Sequence, residues 1–346
     1  NNRCAQSKFV FLFNHRIVSY CKYYKYLGTT LDEFLNFDKS AEAQAEPAGR
    51  ALGALITKTI KNGGLPYSIY SLLFECSVTS ISDYGAEIWG FSSKEAVNKI
   101  HLRAARCFLG LPKHATSAGV LAEISWPEPV CRAQIRMIRQ YFRILKMEDD
   151  RLTKKIYFWD KAVSDQRNVQ TWSSEVRTIL YDHNQGHIFE PESNFCPQSI
   201  IKKLKESMIV KQAVNLKQIC LEKSKLRTFV KFKDFGSIPS YISKPMSFIC
   251  RKYLALTRLS NLSIRVETGR YERPKLELNQ RFCPSCNDRA ALEDEFHLIF
   301  QCVSYTEMRA IWLNKLKLPE NFPLLENSEN LKIVLNKAEN VKFTGQ

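Results

Sequence analysis

The chain has 346 residues, 45% of them hydrophobic, and a formal net charge of +16, so it can bury two or three cores and is not disordered by composition. No apolar run approaches the ~18 residues that a membrane-spanning helix needs, and the polar start Asn1-Asn-Arg-Cys has no signal-peptide pattern, so the sequence predicts no membrane contact, no secretion and a cytoplasmic or nuclear location. There the eleven cysteines, an odd number, are expected as reduced thiols or metal ligands, and the positive excess favours an anionic partner, RNA or DNA ahead of a membrane surface.

The chain begins without Met, just before strand-forming residues, and is expected to continue a longer protein. Lys8-Phe-Val-Phe-Leu-Phe13, the turn-compatible Asn14-His15 and strand-like residues from Arg16 to Tyr26 predict a β-hairpin that ends near Gly28. A hairpin alone cannot bury a face, so it is expected to belong to a larger sheet. Three helices should follow. The first runs from Ser40 to Ile60 and is stopped by Asn62-Gly-Gly64; the second spans about Pro66 to Ser82 through Ile69, Leu72, Leu73 and Cys76; the third runs from Lys94 to Leu109 and stops at Gly110-Leu-Pro112. Short Gly/Pro joints between them predict a compact bundle.

Cys131 to Met147 is the clearest amphipathic helix. Ile135, Ile138, Phe142 and Leu145 share one face, while Arg132, Arg136, Arg139 and Arg143 recur on another at three- and four-residue spacing. Such an arginine stripe either tracks a phosphate backbone or is a solvated face paired with acids elsewhere. From Lys161 to Ser199 the sequence turns polar and irregular, which predicts a linker; Gly186 and nearby prolines argue against a metal site at His183 and His187. Ile200 to Lys233 then carries ten Lys and Arg against two Glu, half the excess of the whole chain. Ile209, Ala213, Leu216 and Cys220 give it an apolar helical face, with Lys202, Lys203, Lys205, Lys211, Lys217, Lys223, Lys225 and Arg227 outward. Phe229, Phe232 and Phe235, interleaved with Lys231 and Lys233, suit either stacking on unpaired bases or a core.

The strongest motif lies beyond. Cys283 and Cys286, His297 and Cys302 make C-x2-C-x10-H-x4-C, a Cys₃His set suited to tetrahedral Zn²⁺. Four protein ligands leave no open position, so the metal is expected to be structural; the alternative is ordinary buried thiols. Glu293-Asp-Glu295 should occupy the first turn of the helix that carries His297, with Phe296, Leu298, Ile299 and Phe300 packing it onto the knuckle. Another helix over Tyr305 to Leu316 and a polar tail complete the chain.

Several of these residues carry a resemblance. Tyr24-Lys-Tyr-Leu-Gly28, Tyr84-Gly-Ala-Glu-Ile-Trp-Gly90, Leu102-Arg-Ala-Ala-Arg-Cys-Phe-Leu-Gly-Leu-Pro112, Glu123 and Trp126-Pro-Glu-Pro129 resemble the region after the polymerase palm in reverse transcriptases of non-LTR (LINE-type) retrotransposons. Arg258-Leu-Ser-Asn-Leu262, Glu267-Thr-Gly-Arg-Tyr-Glu-Arg-Pro274 and the Cys/His stretch resemble the approach to the C-terminal CCHC zinc motif of the same elements and that motif itself. The resemblance covers roughly residues 8–150 and 250–312. The resemblance and the composition together predict a mainly α protein: from the resemblance, a palm-edge β-hairpin remnant (1–38), a thumb-like helical bundle (39–160) and a zinc-binding domain (261–318); from composition, a polar linker (161–199), a basic helical region (200–260) and a polar tail (319–346).

The carboxylates that hold Mg²⁺ in such polymerases would lie upstream in the intact parent, along with its RNA-directed DNA synthesis. The chain itself shows no aromatic-x-Asp-Asp step, Walker A loop, G-x-S-x-G or H-E-x-x-H. It is therefore expected to bind nucleic acid rather than catalyse. A zinc-stapled protein-interaction or structural module, and a non-functional relic of such an element, remain the alternatives.

Overall fold

Two pairs of residues with positive φ decide the N-terminal strands. In the computed structural model, which describes residues 10–33, 36–91, 94–189, 195–286, 291–316, 318 and 327–337, Asn14 (φ 47°) and His15 (φ 60°) turn β1 (Phe11–Phe13) into β2 (Arg16–Val18), pairing Phe11 with Val18. Leu27 (φ 46°) and Gly28 (φ 86°) do the same between β3 (Tyr23–Tyr26) and β4 (Thr29–Asp32). Positive φ at both central residues is the hairpin turn that matches strand twist. One predicted hairpin is thus two, because Leu27-Gly28 reverses the chain a second time. Lys8 and Phe9 lie outside the described residues. The strained Leu27 is held by its carbonyl, which accepts a hydrogen bond from the Tyr84 hydroxyl at 2.8 Å.

The rest is mainly helical. The helices of eight or more residues are α1 (Asp38–Lys61), α2 (Tyr67–Phe74), α3 (Glu95–Leu109), α4 (Ser117–Ile124), α5 (Pro129–Leu145), α6 (Leu152–Arg167), α7 (Trp172–Asp182), α8 (Pro197–Leu221), α9 (Phe248–Arg258), α10 (Thr306–Asn314) and α11 (Asn327–Lys337). The predicted second helix continues α2 through a π-type turn at Glu75–Thr79 to Ser82. Its buried stripe is Tyr70, Phe74 and Val78, whereas the expected Ile69 and Leu72 are exposed.

The chain divides into two compact units, each of three segments: Asn1–Leu55, Leu73–His101 and Pro127–Met208 in the first, and Ile56–Leu72, Leu102–Trp126 and Ile209–Gln346 in the second.

In the first unit, α5 supplies the centre of the core. Ile135, Met137, Ile138, Tyr141, Phe142 and Ile144 cluster with Tyr157 of α6, Val176, Ile179 and Leu180 of α7, and Leu204 and Met208 of α8. The predicted linker over 161–199 therefore contains the end of α6 and all of α7. Its overall polarity hides an i, i+3, i+4 apolar triplet and a capping box, in which Thr171 N–H donates to Ser174 Oγ (2.8 Å) and Ser174 N–H to Thr171 Oγ1 (3.4 Å). Gly90 has a packing reason, since a Cβ there would lie 2.7 Å from that of Ala133 on α5.

In the second unit, the Tyr70 hydroxyl donates to Ala104 O (2.9 Å), and its ring lies 5.1 Å from that of Phe108 and stacks on Trp126. The buried Glu123 of α4 pairs with the buried Arg258 of α9 at 2.5 Å and accepts from the Tyr241 hydroxyl at 2.7 Å. The predicted tail is not wholly without structure: α11 buries Leu331, Val334 and Leu335, and Asn336 Oδ1 accepts from Arg258 Nη1 at 3.0 Å. The remainder of 319–346 lies outside the described residues.

Candidate metal centre

A short antiparallel bridge sets the first two candidate metal ligands. Phe282 pairs with Leu292, Cys283 N–H donates to Ala291 O (2.9 Å) and Glu293 N–H to Arg281 O (3.0 Å), so the chain leaves this bridge into the Cys283–Cys286 knuckle in a fixed direction. Arg281 is buried and anchors the bridge from behind, donating to Val266 O (2.7 Å) and Leu276 O (2.8 Å).

The other two ligands depend on a local departure from the α-helix. His297 and Cys302 are five residues apart, which in an α-helix would place them about 140° from each other around the axis. Here Cys302 N–H donates to His297 O at 2.8 Å, an i→i+5 bond that widens the turn over His297–Gln301 and brings both side chains to one side. Asp294 starts this turn by accepting His297 N–H on Oδ1 (2.7 Å), and Ser304 Oγ donates to Ser285 O (2.7 Å), tying the turn to the knuckle.

The four ligand atoms all lie within 4.8 Å of one another. A tetrahedral zinc with Zn–S near 2.3 Å and Zn–N near 2.0 Å requires S···S edges of about 3.8 Å and S···N edges of about 3.5 Å. Cys283 Sγ and Cys302 Sγ are 3.9 Å apart, and Cys286 Sγ and His297 Nε2 are 3.5 Å apart. Cys283, His297 and Cys302 are buried and Cys286 is partly so. Donor set, edge lengths and burial all fit Zn²⁺, which Cys283, Cys286, His297 and Cys302 would hold with no position left for water.

The acidic run around the site differs from the expected helix start. Only Asp294 caps the turn. Glu293 is buried and takes Arg265 N–H on Oε2 at 2.6 Å, and Glu295 is buried against Arg227 Nη2 and Thr228 Oγ1, both at 3.2 Å. These carboxylates fasten the metal region to the residues before it. Sequence reasoning missed Arg265, Arg281 and Glu293 as braces, because most of their contacts are with main-chain groups that no side-chain motif reveals. Phe296 and Phe300 do pack together, with ring centroids 4.9 Å apart.

No family model, curated protein or solved structure matches the chain. The chemistry therefore rests on the residues themselves.

The arginine stripe of α5 divides in two. Arg139 and Arg143 are exposed and Arg136 is half-buried, but Arg132 makes two bonds to the buried Asp83, Nε to Oδ2 at 2.9 Å and Nη2 to Oδ1 at 3.1 Å. Beside it, burial first and the Arg132 charge second push the imidazole of His101 down to about 3, which keeps it neutral. Arg132 is thus bound up in the fold.

The lysines of α8 stay outward. Lys202, Lys203, Lys205, Lys211 and Lys217 are all exposed, as is Lys223 just past the helix end, while Leu204, Met208, Leu216 and Cys220 are buried. The expected apolar face shifts by a turn, since Ile209 is exposed and Leu204 and Met208 take its place. The last two expected basic residues turn inward. Lys225 Nζ donates to Asn261 Oδ1 (2.9 Å), and Arg227 pairs with Glu267 (3.1 Å) as well as Glu295. Phe229 and Phe232 are buried with rings 5.9 Å apart, so of the two readings left open for them the core one holds. Lys233 is buried too, donates to Ser237 O at 2.6 Å, and is pushed down to about 8 by burial.

Proposed function

We propose that this chain is a nucleic-acid-binding C-terminal part of a non-LTR retrotransposon reverse transcriptase, with a structural zinc and no polymerase site of its own. The observation that carries the reading is a set of six exposed lysines within 22 residues, from Lys202 to Lys223, five of them on α8 and Lys223 just past its end. Such a concentration of positive charge suits the regular charge of a phosphate backbone. Exposed Arg139 and Arg143 on α5 add to it.

In this reading the two N-terminal hairpins are the palm edge, the helices of 39–160 are thumb-like, and Cys283, Cys286, His297 and Cys302 form the CCHC zinc region. RNA-directed DNA synthesis with Mg²⁺ belongs to the intact parent, and the location is cytoplasmic or nuclear. Fluorescence anisotropy with labelled RNA and DNA oligonucleotides tests it. Reversing Lys202, Lys203 and Lys205 to Glu should weaken binding at least tenfold for every sequence alike; unchanged binding would sink the assignment.

A second reading has one observation in its favour. On α6, Leu152, Ile156 and Trp159 are 70%, 53% and 68% exposed at i, i+4, i+7 spacing, the pattern of a helix that packs on a protein partner. A zinc-stapled interaction module would use that stripe, and its loss through Trp159→Ala would leave nucleic-acid binding untouched.

A further inference from the structure

Among the described residues, the second unit buries a guanidinium without a counter-ion. Arg251 on α9 is 2% exposed. Its Nε donates to Phe108 O (2.9 Å) and its Nη1 to Leu65 O (3.1 Å), while the Phe108 ring lies 4.0 Å from the guanidinium carbon. All these partners are neutral. No carboxylate among the described residues pairs with it, and Nη2 is buried with no hydrogen-bond partner. A buried cation left uncompensated is costly, and proteins normally supply an anion or a full set of acceptors.

Nη2 is sealed beneath the floor of a cleft. It lies 3.5 Å from the point where a Cβ on Gly64 would sit, and Gly64 lines a surface cleft of about 410 Å³ together with Gly63, Leu65, Pro245, Met246 and Ser247. Gly64 has φ 107° and its missing Cβ would fall 2.6 Å from Phe248 Cβ, so only glycine lets the loop close over the guanidinium. The opposite wall is the N-terminus of α9. Ser247 is its cap, with Oγ accepting Cys250 N–H at 3.3 Å, which leaves the N–H groups of Phe248 and Ile249 without partners inside the helix. A helix N-terminus thus lines this cleft and an uncompensated arginine charge lies beneath its floor, while its Leu65, Pro66 and Pro245 walls are apolar.

We infer that this cleft binds a phosphate group with an attached nucleoside, the phosphate at the α9 N-terminus over Gly64 and the base or sugar against the proline walls. The inference rests in part on the nucleic-acid reading above, which supplies one source of the ligand, a strand phosphodiester; a free mononucleotide is the other. Burial, which lowers the Arg251 pKa to about 10, leaves it charged at neutral pH, as the site requires.

Arg251 also holds two carbonyls, so its replacement tests folding as much as binding. The better variants are Ser247→Asp and Ser247→Asn. Both side chains cap helices as well as serine, but only Asp places a carboxylate where the phosphate would sit. The full chain is melted in inorganic phosphate or adenosine monophosphate against chloride at equal ionic strength, and its RNA affinity is measured in parallel. Wild type and Ser247→Asn should show a saturable, phosphate-dependent rise in Tm, and Ser247→Asp should need at least tenfold more ligand. An equal response in Ser247→Asp, or none in wild type, overturns the inference. Ser247→Asp also weakens RNA binding if the ligand is a strand, and leaves it unchanged if the ligand is a mononucleotide. Phosphate protection without any RNA binding would sink the functional reading and leave this site standing; RNA binding without phosphate protection would do the reverse.

Discussion

Glu123 Oε1 lies 2.5 Å from Arg258 Nε, both side chains sealed from solvent, although the residues are 135 positions apart in sequence. The carboxylate also accepts the Tyr241 hydroxyl, and Arg258 lies over the Phe232 and Tyr241 rings at 4.7 and 5.3 Å. Burial alone would raise the Glu123 pKa, but Arg258 and then Lys233 outweigh it and hold the carboxyl below the usual carboxylate range. Removing one partner of such a pair typically costs about 3–5 kcal/mol, because the other is left charged and unpaired. Glu123→Gln and Arg258→Met should each lower stability by about that much, and the double variant should recover a large part of the loss. Urea denaturation of the four proteins gives the coupling; simple additivity would show that the pair is not coupled.

Lys233 sets a pH dependence. Burial lowers its pKa from 10.5 to about 8, so between those values the unfolded chain binds the extra proton and stability rises with pH. The contribution is complete above pH 10.5 and lost as the pH falls through 8, at most about 3 kcal/mol in all. The stability of wild type relative to Lys233→Met should therefore improve from pH 7.5 to 9.5. Parallel stability curves for the two proteins would refute it.

Chelation of zinc should unfold the C-terminal region. Structural zinc contributes about 10–16 kcal/mol of apparent binding free energy in small sites, which the Phe282–Leu292 bridge and the single widened turn cannot replace. The full chain should contain one equivalent of zinc, lose helical signal on chelation, and show a tetrahedral thiolate spectrum with Co²⁺ that His297→Ala perturbs. A zinc-free protein with unchanged melting would remove the metal from the account.

Arg132 and Arg139 should separate cleanly, although the sequence places them on one stripe. Arg132→Ala leaves Asp83 buried without its partner and should cost about 3 kcal/mol or more. Arg139→Ala, at an exposed position, should fall within about 0.5 kcal/mol of wild type. Thermal melts decide it, and equal effects would show that the Asp83 pair does not contribute to the fold.

That pair of arginines also shows where sequence reading stopped. Spacing identified an amphipathic α5, but helical periodicity carries no information about Asp83, 49 residues away, which claims one arginine of the four. The Cys/His ligand set was legible because short spacings between ligands are a local property. The turn that makes His297 and Cys302 converge was not, since its i→i+5 bond lies in the backbone. Helix α7 was missed because a capping box and three apolar residues were diluted in a polar stretch. Phe229 and Phe232 were ambiguous since lysines flank core and interface phenylalanines alike, and only their buried packing on each other, with Arg258 over Phe232, decides the case.

The most direct test of the central claim is the salt dependence of RNA binding by the zinc-loaded full chain. If the five exposed α8 lysines and Lys223 engage phosphates, a plot of log affinity against log salt should fall with a slope of about −4 for single strands. Reversing Lys202, Lys203 and Lys205 to Glu should flatten it by about 2. A slope near zero, or no RNA binding at low salt by protein that retains its zinc, would contradict the account.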